Sequence, residues 1–443
     1  MYFLIAELSG NKRQALIGAF FVTFSPWINT ISRHAHEVVV ATFFITLGLL
    51  FLVKYVKKQT LINAIATLIF LAIALYTYHI ARLFVGLFSA VLLFKFFFMH
   101  KQNATKKIVL IVLSLCIFLP FIIAEIKQPP SRLGSLLLTN NEGIDLKTNE
   151  LKTEFRYSLF STKTFVIFDE FLKRYFSYFS SDFLVQKGDG IARFGFPGEI
   201  HPITHVEFIL AIIGLFILFQ KNKKVAFFVL FLALISPLPA AFTWQEYALT
   251  RAFYLIIPLL VLASYAAESL LRIKYKFKIL FIGFIMVFYF LYIAKSWDFV
   301  YFHYPKRAEV VRSWFCGYKE LTTFIKDNYN TYDRFYITQE VGQPYIAILF
   351  YTRYNPTLYQ KQISMGPKDE YGYTKVNSFD KYIFDISSFD KQVDKNAVYV
   401  FSESEAKNRN IKYEDATHIK VWTEEMFWIY IPKKISNHSK IPI

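Results

Sequence analysis

Leu75-Tyr76-Thr77-Tyr78-His79-Ile80-Ala81-Arg82 joins two apolar runs. One run ends there, and the next, Leu83 to Phe98, begins at once. Two tyrosines, a histidine and an arginine lie between them, with no Gly or Pro to make a turn. The pattern predicts a corner between two membrane helices, with polar groups at the lipid–water boundary. Similar corners surround Arg33 and Arg251. All three are expected to close on one side, and the rest of the chain can be ordered around that shared face.

Hydrophobic residues make up 55% of the 443, and long uncharged stretches recur. Apolar runs of about 18 residues or more read as spanning helices. Spans are expected at 14–31, 36–53, 60–76, 80–99, 107–124, 204–219, 225–242, 250–271 and 279–295. The fold class is therefore a polytopic α-helical membrane protein of about nine spans with a small C-terminal α/β domain. The expected domains are 1–296, including a long loop 125–203, and 297–443.

Basic loops set the orientation, because cytoplasmic loops carry excess Lys and Arg. Lys12 and Arg13, Lys54, Lys57 and Lys58, Lys101, Lys106 and Lys107, Lys221, Lys223 and Lys224, and Arg272 to Lys278 all fall on alternate loops. The other loops carry little beyond Arg33, Arg82 and Arg251. The lysine loops are thus expected inside. The arginine corners, loop 125–203 and the C-terminal domain are expected outside the cell membrane. The net charge of +17 then reflects orientation, and nucleic acid is not an expected partner. Of the sequons, Asn103-Ala104-Thr105 would lie inside and Asn437-His438-Ser439 outside. Cys116 lies in a span and Cys316 in the polar part, so no disulfide and no Cys-based metal site is expected.

Within the long loop, Lys127 to Glu154 is polar with a Pro-Pro pair and reads as irregular. Phe168, Phe171, Leu172, Tyr175, Phe176 and Phe179 follow helical spacing, with Asp169, Glu170, Lys173 and Arg174 on the other face. This is an amphipathic surface helix, serving either to support the bundle or to seat a lipid. From Trp297 onward, a helix is expected over Pro305 to Tyr329 and another over Pro344 to Tyr354. Short strands are expected at Phe335 to Thr338, Tyr382 to Phe384, Ala397 to Phe401, His418 to Trp422 and Phe427 to Ile431.

No phosphate-binding GxxxxGK and no GxSxG is present, and no cofactor is implied. His201 and His205 stand four apart with the acid Glu207 nearby, but Pro202 interrupts the stretch and no further ligand is evident, so no metal is expected. The outward arginines have two readings. Their side chains can snorkel to head groups. They can also bind a phosphate bidentately, which would explain arginine in a lysine-rich chain. Glu37, Glu246, Asp182 and Asp189 are outward acids that could take a proton, or simply cap and solvate. The spans hold almost no ionisable residue at mid-depth, which counts against a transporter.

With these residues in view, the chain resembles the multi-pass GT-C glycosyltransferases, nearest the bacterial protein-mannosyltransferase-like and aminoarabinose-transferase-like branch. The resemblance rests on an ordered series. It comprises Ala6 to Gly10; Ser25-Pro26-Trp27 with Ser32, Arg33 and Glu37; Tyr76 to His79 with Arg82; Phe179 to Leu184 with Gly188, Asp189, Arg193, Pro197 and Gly198; and Pro237 to Ala241 with Ala248 to Arg251. It covers the apolar part and fades after about residue 360. The resemblance implies transfer of a sugar from a polyprenyl-phosphate donor, on the outer face, with inversion. The acceptor is left open among protein, lipid and glycan.

The resemblance makes Arg33, Tyr76, Tyr78, His79, Arg82, Arg193 and Arg251 the donor-binding candidates. The family's catalytic acid sits between its first and second spans, and Met1 to Leu8 matches the inner end of that second span. That acid therefore has no counterpart here, and an N-terminally truncated transferase is expected. Asp182, Asp189 and Glu37 remain as catalytic candidates. The alternatives are a non-catalytic relative acting as a binding or assembly subunit, and a lipid-linked-sugar translocase.

Overall fold

The computed structural model describes residues 1–99, 136–154, 159–368 and 374–432, with scattered positions between 112 and 123. The expected span 107–124, both sequons and Cys116 lie largely or wholly outside the described residues. The chain divides into two compact units, Met1–Tyr301 and Phe302–Ile443.

The first unit is a helical bundle. Among the described residues, four helices are long and apolar enough to cross a membrane: Glu37–Lys58, Lys223–Ala241, Phe253–Arg272 and Lys278–Lys306, the last of which ends beyond Tyr301. The expected span 14–31 is instead two helices, Lys12–Phe24 and Pro26–Arg33, bent by 49°. Ser25 is extended and Pro26 starts the second helix, where its missing N–H costs nothing. Leu61–Thr77 and His79–Ser89 are apolar but shorter, and His205–Lys221 has 17 residues.

Small residues set the closest approaches. A Cβ on Gly214 would lie 1.9 Å from the Leu262 carbonyl oxygen, so His205–Lys221 rests backbone to backbone on Phe253–Arg272. Gly48 leaves similar room for the Leu71 side chain. Phe253–Arg272 is the most enclosed of the four long helices, while Lys278–Lys306 is the least. Gly214→Val should therefore cost about 3 kcal/mol or more, because backbone cannot yield as a rotamer can. Thermal unfolding in detergent, compared with a mutation at exposed Phe216, would read that loss.

The bundle sorts its charges by end. Lys57 meets Glu7 at 3.2 Å, and Lys221 donates to Ser269 at 2.8 Å, placing lysine-rich loops together. The corners bearing Arg33, Arg82 and Arg251 lie at the opposite ends of their helices.

Two readings of the long loop change. Glu142–Glu154 is a helix, not irregular chain. Gly143 allows it to lie against the Trp244 ring, where a Cβ would sit 2.4 Å away. The amphipathic helix is present as Lys163–Ser177, but Glu170 and Arg174 are buried while Phe168 and Phe176 are exposed. Arg174 donates to Glu170 and to the Trp244 carbonyl and stacks over that indole, and Lys147 also donates to Glu170. Burial opposes ionisation of Glu170, yet these two cationic donors pull its carboxyl below the usual range. Glu170 and Arg174 thus dock on protein because each is paired, Glu170 by Arg174 and by Lys147 of the preceding helix.

The second unit is an α/β domain around a seven-stranded sheet, ordered β2-β3-β4-β1-β5-β7-β6. The strands are β1 Arg334–Ile337, β2 Ser364–Lys368, β3 Thr374–Phe379, β4 Tyr382–Ile383, β5 Ala397–Phe401, β6 Ala416–Val421 and β7 Glu424–Tyr430. β4, β1 and β5 are parallel, and the other neighbours are antiparallel. Side chains alternate across β1. Phe335 and Ile337 join one core with Leu321, Ile325 and Ile348, while Tyr336 joins another with Tyr399 and Ala406. The helix expected over Pro305 to Tyr329 is two, Ala308–Ser313 and Tyr318–Asp327. Phe315 and Gly317 between them have positive φ, which ends one helix before the next begins.

Candidate functional site

The site is built where three loops meet at the arginine end of the bundle. The break at Ser25-Pro26 turns Trp27 inward, fully buried. Its indole donates to the Leu249 carbonyl at 3.0 Å, and its backbone N–H donates to the Pro202 carbonyl at 3.0 Å. Phe183 and Phe253 pack edge-on to the ring at 5.8 and 5.6 Å. One residue thus ties the helix pair to loops 182–204 and 242–252.

Asp189 holds those two loops together. Gly188 precedes it at φ +65°, and a Cβ there would lie 2.2 Å from the Ile200 carbonyl oxygen, so glycine is required. Asp189 is fully buried. Its Oδ1 accepts from the Ile191 N–H at 2.8 Å and the Gln245 amide at 3.1 Å, and its Oδ2 accepts from the Leu249 N–H at 2.8 Å. Burial pushes the carboxyl up to about 6, opposed by those donors and by the nearby Arg251 charge. The Arg251 guanidinium donates to the Thr243 hydroxyl at 2.7 Å. The Tyr178 hydroxyl accepts from the Ala248 N–H at 3.1 Å beside it.

Asp182 opens a short π-helix, Asp182–Lys187, a form common at functional sites. It accepts from the Tyr247 hydroxyl at 2.8 Å and faces Lys187 at 3.0 Å. These partners lower its carboxyl below the usual range, Tyr247 contributing most. Burial, and then the same contact, push the Tyr247 phenol up to about 12. Phe183 stacks on Tyr247 at 5.5 Å.

The turn after Asp189 reaches the opening corner. Phe194 packs edge-on to His36 at 5.4 Å, and His36 packs edge-on to Tyr78 at 5.2 Å. Tyr78 touches His79 at 4.6 Å. His34 also neighbours Phe194, at 6.3 Å. Burial first, then the Arg33 and His36 charges, hold His34 down to about 4, so it is neutral at pH 7.

The sequence candidates therefore fall into groups. Asp182, through Tyr247, and Asp189, through Gln245 and Leu249, both hold the loop that leads to Arg251. Tyr78 and His79 join His36 and Phe194 in an aromatic corner, and half-buried Arg193 precedes Phe194 in the chain. Half-buried Arg82 lies in the first turn of His79–Met99. Two candidates stand apart. Tyr76 is 59% exposed while Tyr78 is buried. Arg33 covers the Tyr301 ring at 4.1 Å and donates to the Val300 carbonyl at 3.4 Å. Glu37 begins helix Glu37–Lys58 with a largely exposed carboxylate, 3.5 Å from His36.

Gln245, Tyr247, Tyr178, Thr243 and His36 were not singled out from sequence. The polar stretch Thr243-Trp244-Gln245-Glu246-Tyr247 between apolar runs is the signal that could have found three of them. His201 and His205 pack on Tyr292, whereas Glu207 closes a capping box with Thr204 and accepts from Tyr289. Its acid thus serves the helix start, and among the described residues no three ligating side chains are grouped for a metal ion.

Comparison with family models, curated proteins and solved structures gives no significant match. The functional reading accordingly rests on the residues. Asp189 has both oxygens engaged and holds the loop that carries Arg251. Arg251, with Arg193 and Arg82 at the same end, offers guanidinium groups suited to bidentate binding of a phosphate. The aromatic corner beside them suits a sugar ring or a lipid chain.

Proposed function

We propose that this chain is a GT-C-type membrane glycosyltransferase that binds a polyprenyl-phosphate-linked sugar on the outer face of a cell membrane. The observation that carries this reading is the Asp189-centred network, which holds the loop bearing Arg251 at the end of the bundle with the Tyr78–His36–Phe194 corner. In this reading about nine helices span the bilayer. Arg251, Arg193 and Arg82 hold the donor phosphate, and Tyr78 and His79 line the sugar.

In transfer, an acceptor oxygen attacks the anomeric carbon as the bond to the phosphate oxygen breaks. The lipid phosphate leaves with the electron pair, stabilised by guanidinium charge. A carboxylate takes the acceptor's proton. Of the three carboxylates considered, Glu37 is the open one, since Asp182 and Asp189 are engaged in structure. That engagement also favours a second reading, donor binding without transfer.

The test is donor binding by the full chain in lipid nanodiscs, followed by transfer of labelled sugar. Arg82→Ala should weaken binding of a polyprenyl-phosphate hexose about tenfold, the loss of one charge-assisted contact. Unchanged binding in a folded variant would remove Arg82 from the site. Binding without any transfer across acceptor classes would favour the second reading.

A further inference from the structure

The β6–β7 hairpin of the second unit carries an aromatic residue that the fold does not use. Val421 pairs with Glu424, leaving Trp422 and Thr423 as a two-residue turn. Trp422 has φ +55°, a region where glycine is favoured and a bulky residue is strained. Its side chain is 62% exposed, so no core packing offsets that strain. Such outliers persist where function holds them.

The surroundings suggest what covers it. The Lys306 ammonium sits 5.1 Å from the Trp422 ring centroid. Arg312 pairs with Glu424 at 2.6 Å on the other side of the turn. The Trp314 indole donates to the Tyr304 hydroxyl at 3.2 Å, with Trp314 still 39% exposed. Phe302, at the start of this segment, is 63% exposed. Tryptophan and phenylalanine interleaved with lysine and arginine is the composition of a bilayer interface.

Chain length points the same way. The helix Lys278–Lys306 has 29 residues. At about 1.5 Å per residue it is about 43 Å long, which exceeds a hydrocarbon core of about 30 Å and matches a bilayer with its head groups, about 40–45 Å. Lys306 would then emerge at head-group depth.

We infer that the Trp422 hairpin tip, with Lys306 and the Phe302–Trp314 segment, docks on the phospholipid head groups of the membrane crossed by that helix. The inference rests on the membrane reading proposed above. The Trp422 ring lies among glycerol and head groups, and Lys306 faces lipid phosphate. The strain at Trp422 is tolerated because the contact with lipid, rather than the domain core, offsets it.

Tryptophan quenching of the full chain in liposomes tests this. Lipid bearing a nitroxide on its head group should quench Trp422, so Trp422→Phe should lose less emission than wild type. Trp422→Gly should leave thermal unfolding of the second unit unchanged or raise its midpoint, as the turn relaxes. A lowered midpoint would make Trp422 a structural residue and overturn the inference.

A control separates the two readings. Phe284, 62% exposed in Lys278–Lys306, is replaced by Trp in the Trp422→Phe background, and lipid labelled deep in its acyl chain is used. If Phe284→Trp is quenched and Trp422 is not, the docking inference fails while the membrane reading stands. If Phe284→Trp is not quenched, the membrane reading fails and takes the inference with it.

Discussion

Asp189→Ala should destabilise the helical unit by about 3 kcal/mol, more than an ordinary surface change and enough to loosen both loops of the site. The carboxylate is fully buried and accepts three hydrogen bonds. Its removal leaves the N–H of fully buried Leu249 without an acceptor, and an orphaned buried donor costs about 1–3 kcal/mol. The Gln245 amide loses its acceptor too, and Arg251 loses the carboxylate charge of Asp189. Asp189→Asn should cost less, because one oxygen still accepts, although the new amide confronts a donor.

The sign of the pH dependence follows from the raised carboxyl. The folded pKa, about 6, exceeds the ordinary 3.8, so the folded state holds the proton more tightly. The stability this proton contributes is complete below about 4 and is lost as pH rises through about 6. Wild type should therefore gain stability on acidification from pH 7 to pH 5, and Asp189→Asn should lose that gain. Denaturant titrations in mild detergent at the two pH values would measure both effects. Equal pH slopes for the two proteins would remove Asp189 as the titrating group.

Much of the architecture was legible because it follows from local chemistry. The polar corner at Tyr76 to Arg82 ended one helix and began another, as apolar periodicity required. Pro344 marked a helix start, and the continuous apolar run Ala397 to Phe401 was a strand within its expected limits. Departures arose where tertiary partners decided the outcome. The charged face of Lys163–Ser177 turned inward because Lys147 and Trp244, distant in sequence, were there to receive it. Helix Glu142–Glu154 forms from a polar stretch with no apolar stripe to announce it, stabilised by packing on the Trp244 ring. The candidate site was half visible for the same reason. A buried aspartate is recognisable only with its donors in place, and Asp189 takes two of them from residues 245 and 249.

Arg251→Ala should weaken donor binding about 100-fold, the largest functional effect expected of any single change here. Thr243 accepts from the guanidinium at 2.7 Å, which orients the plane, while the Asp189 charge holds it near the loop backbone. A pre-oriented guanidinium can meet two phosphate oxygens at once, and loss of a charged, paired contact costs about 1.5–3 kcal/mol. Arg251→Lys keeps the charge without the fork and should fall between, roughly tenfold weaker than wild type.

A second readout separates binding from collapse of the loop. Arg251 lowers the Asp189 carboxyl, so its removal should move that titration upward from about 6. Carboxyl infrared absorption across pH 5 to 8 would show the shift in Arg251→Ala and not in Arg82→Ala. If Arg251→Ala moves the titration but leaves polyprenyl-phosphate affinity intact, Arg251 is a structural counter-ion for Asp189 and the phosphate site lies elsewhere. If both change together, the guanidinium serves the loop and the donor at once, and the buried aspartate acts on the donor through it.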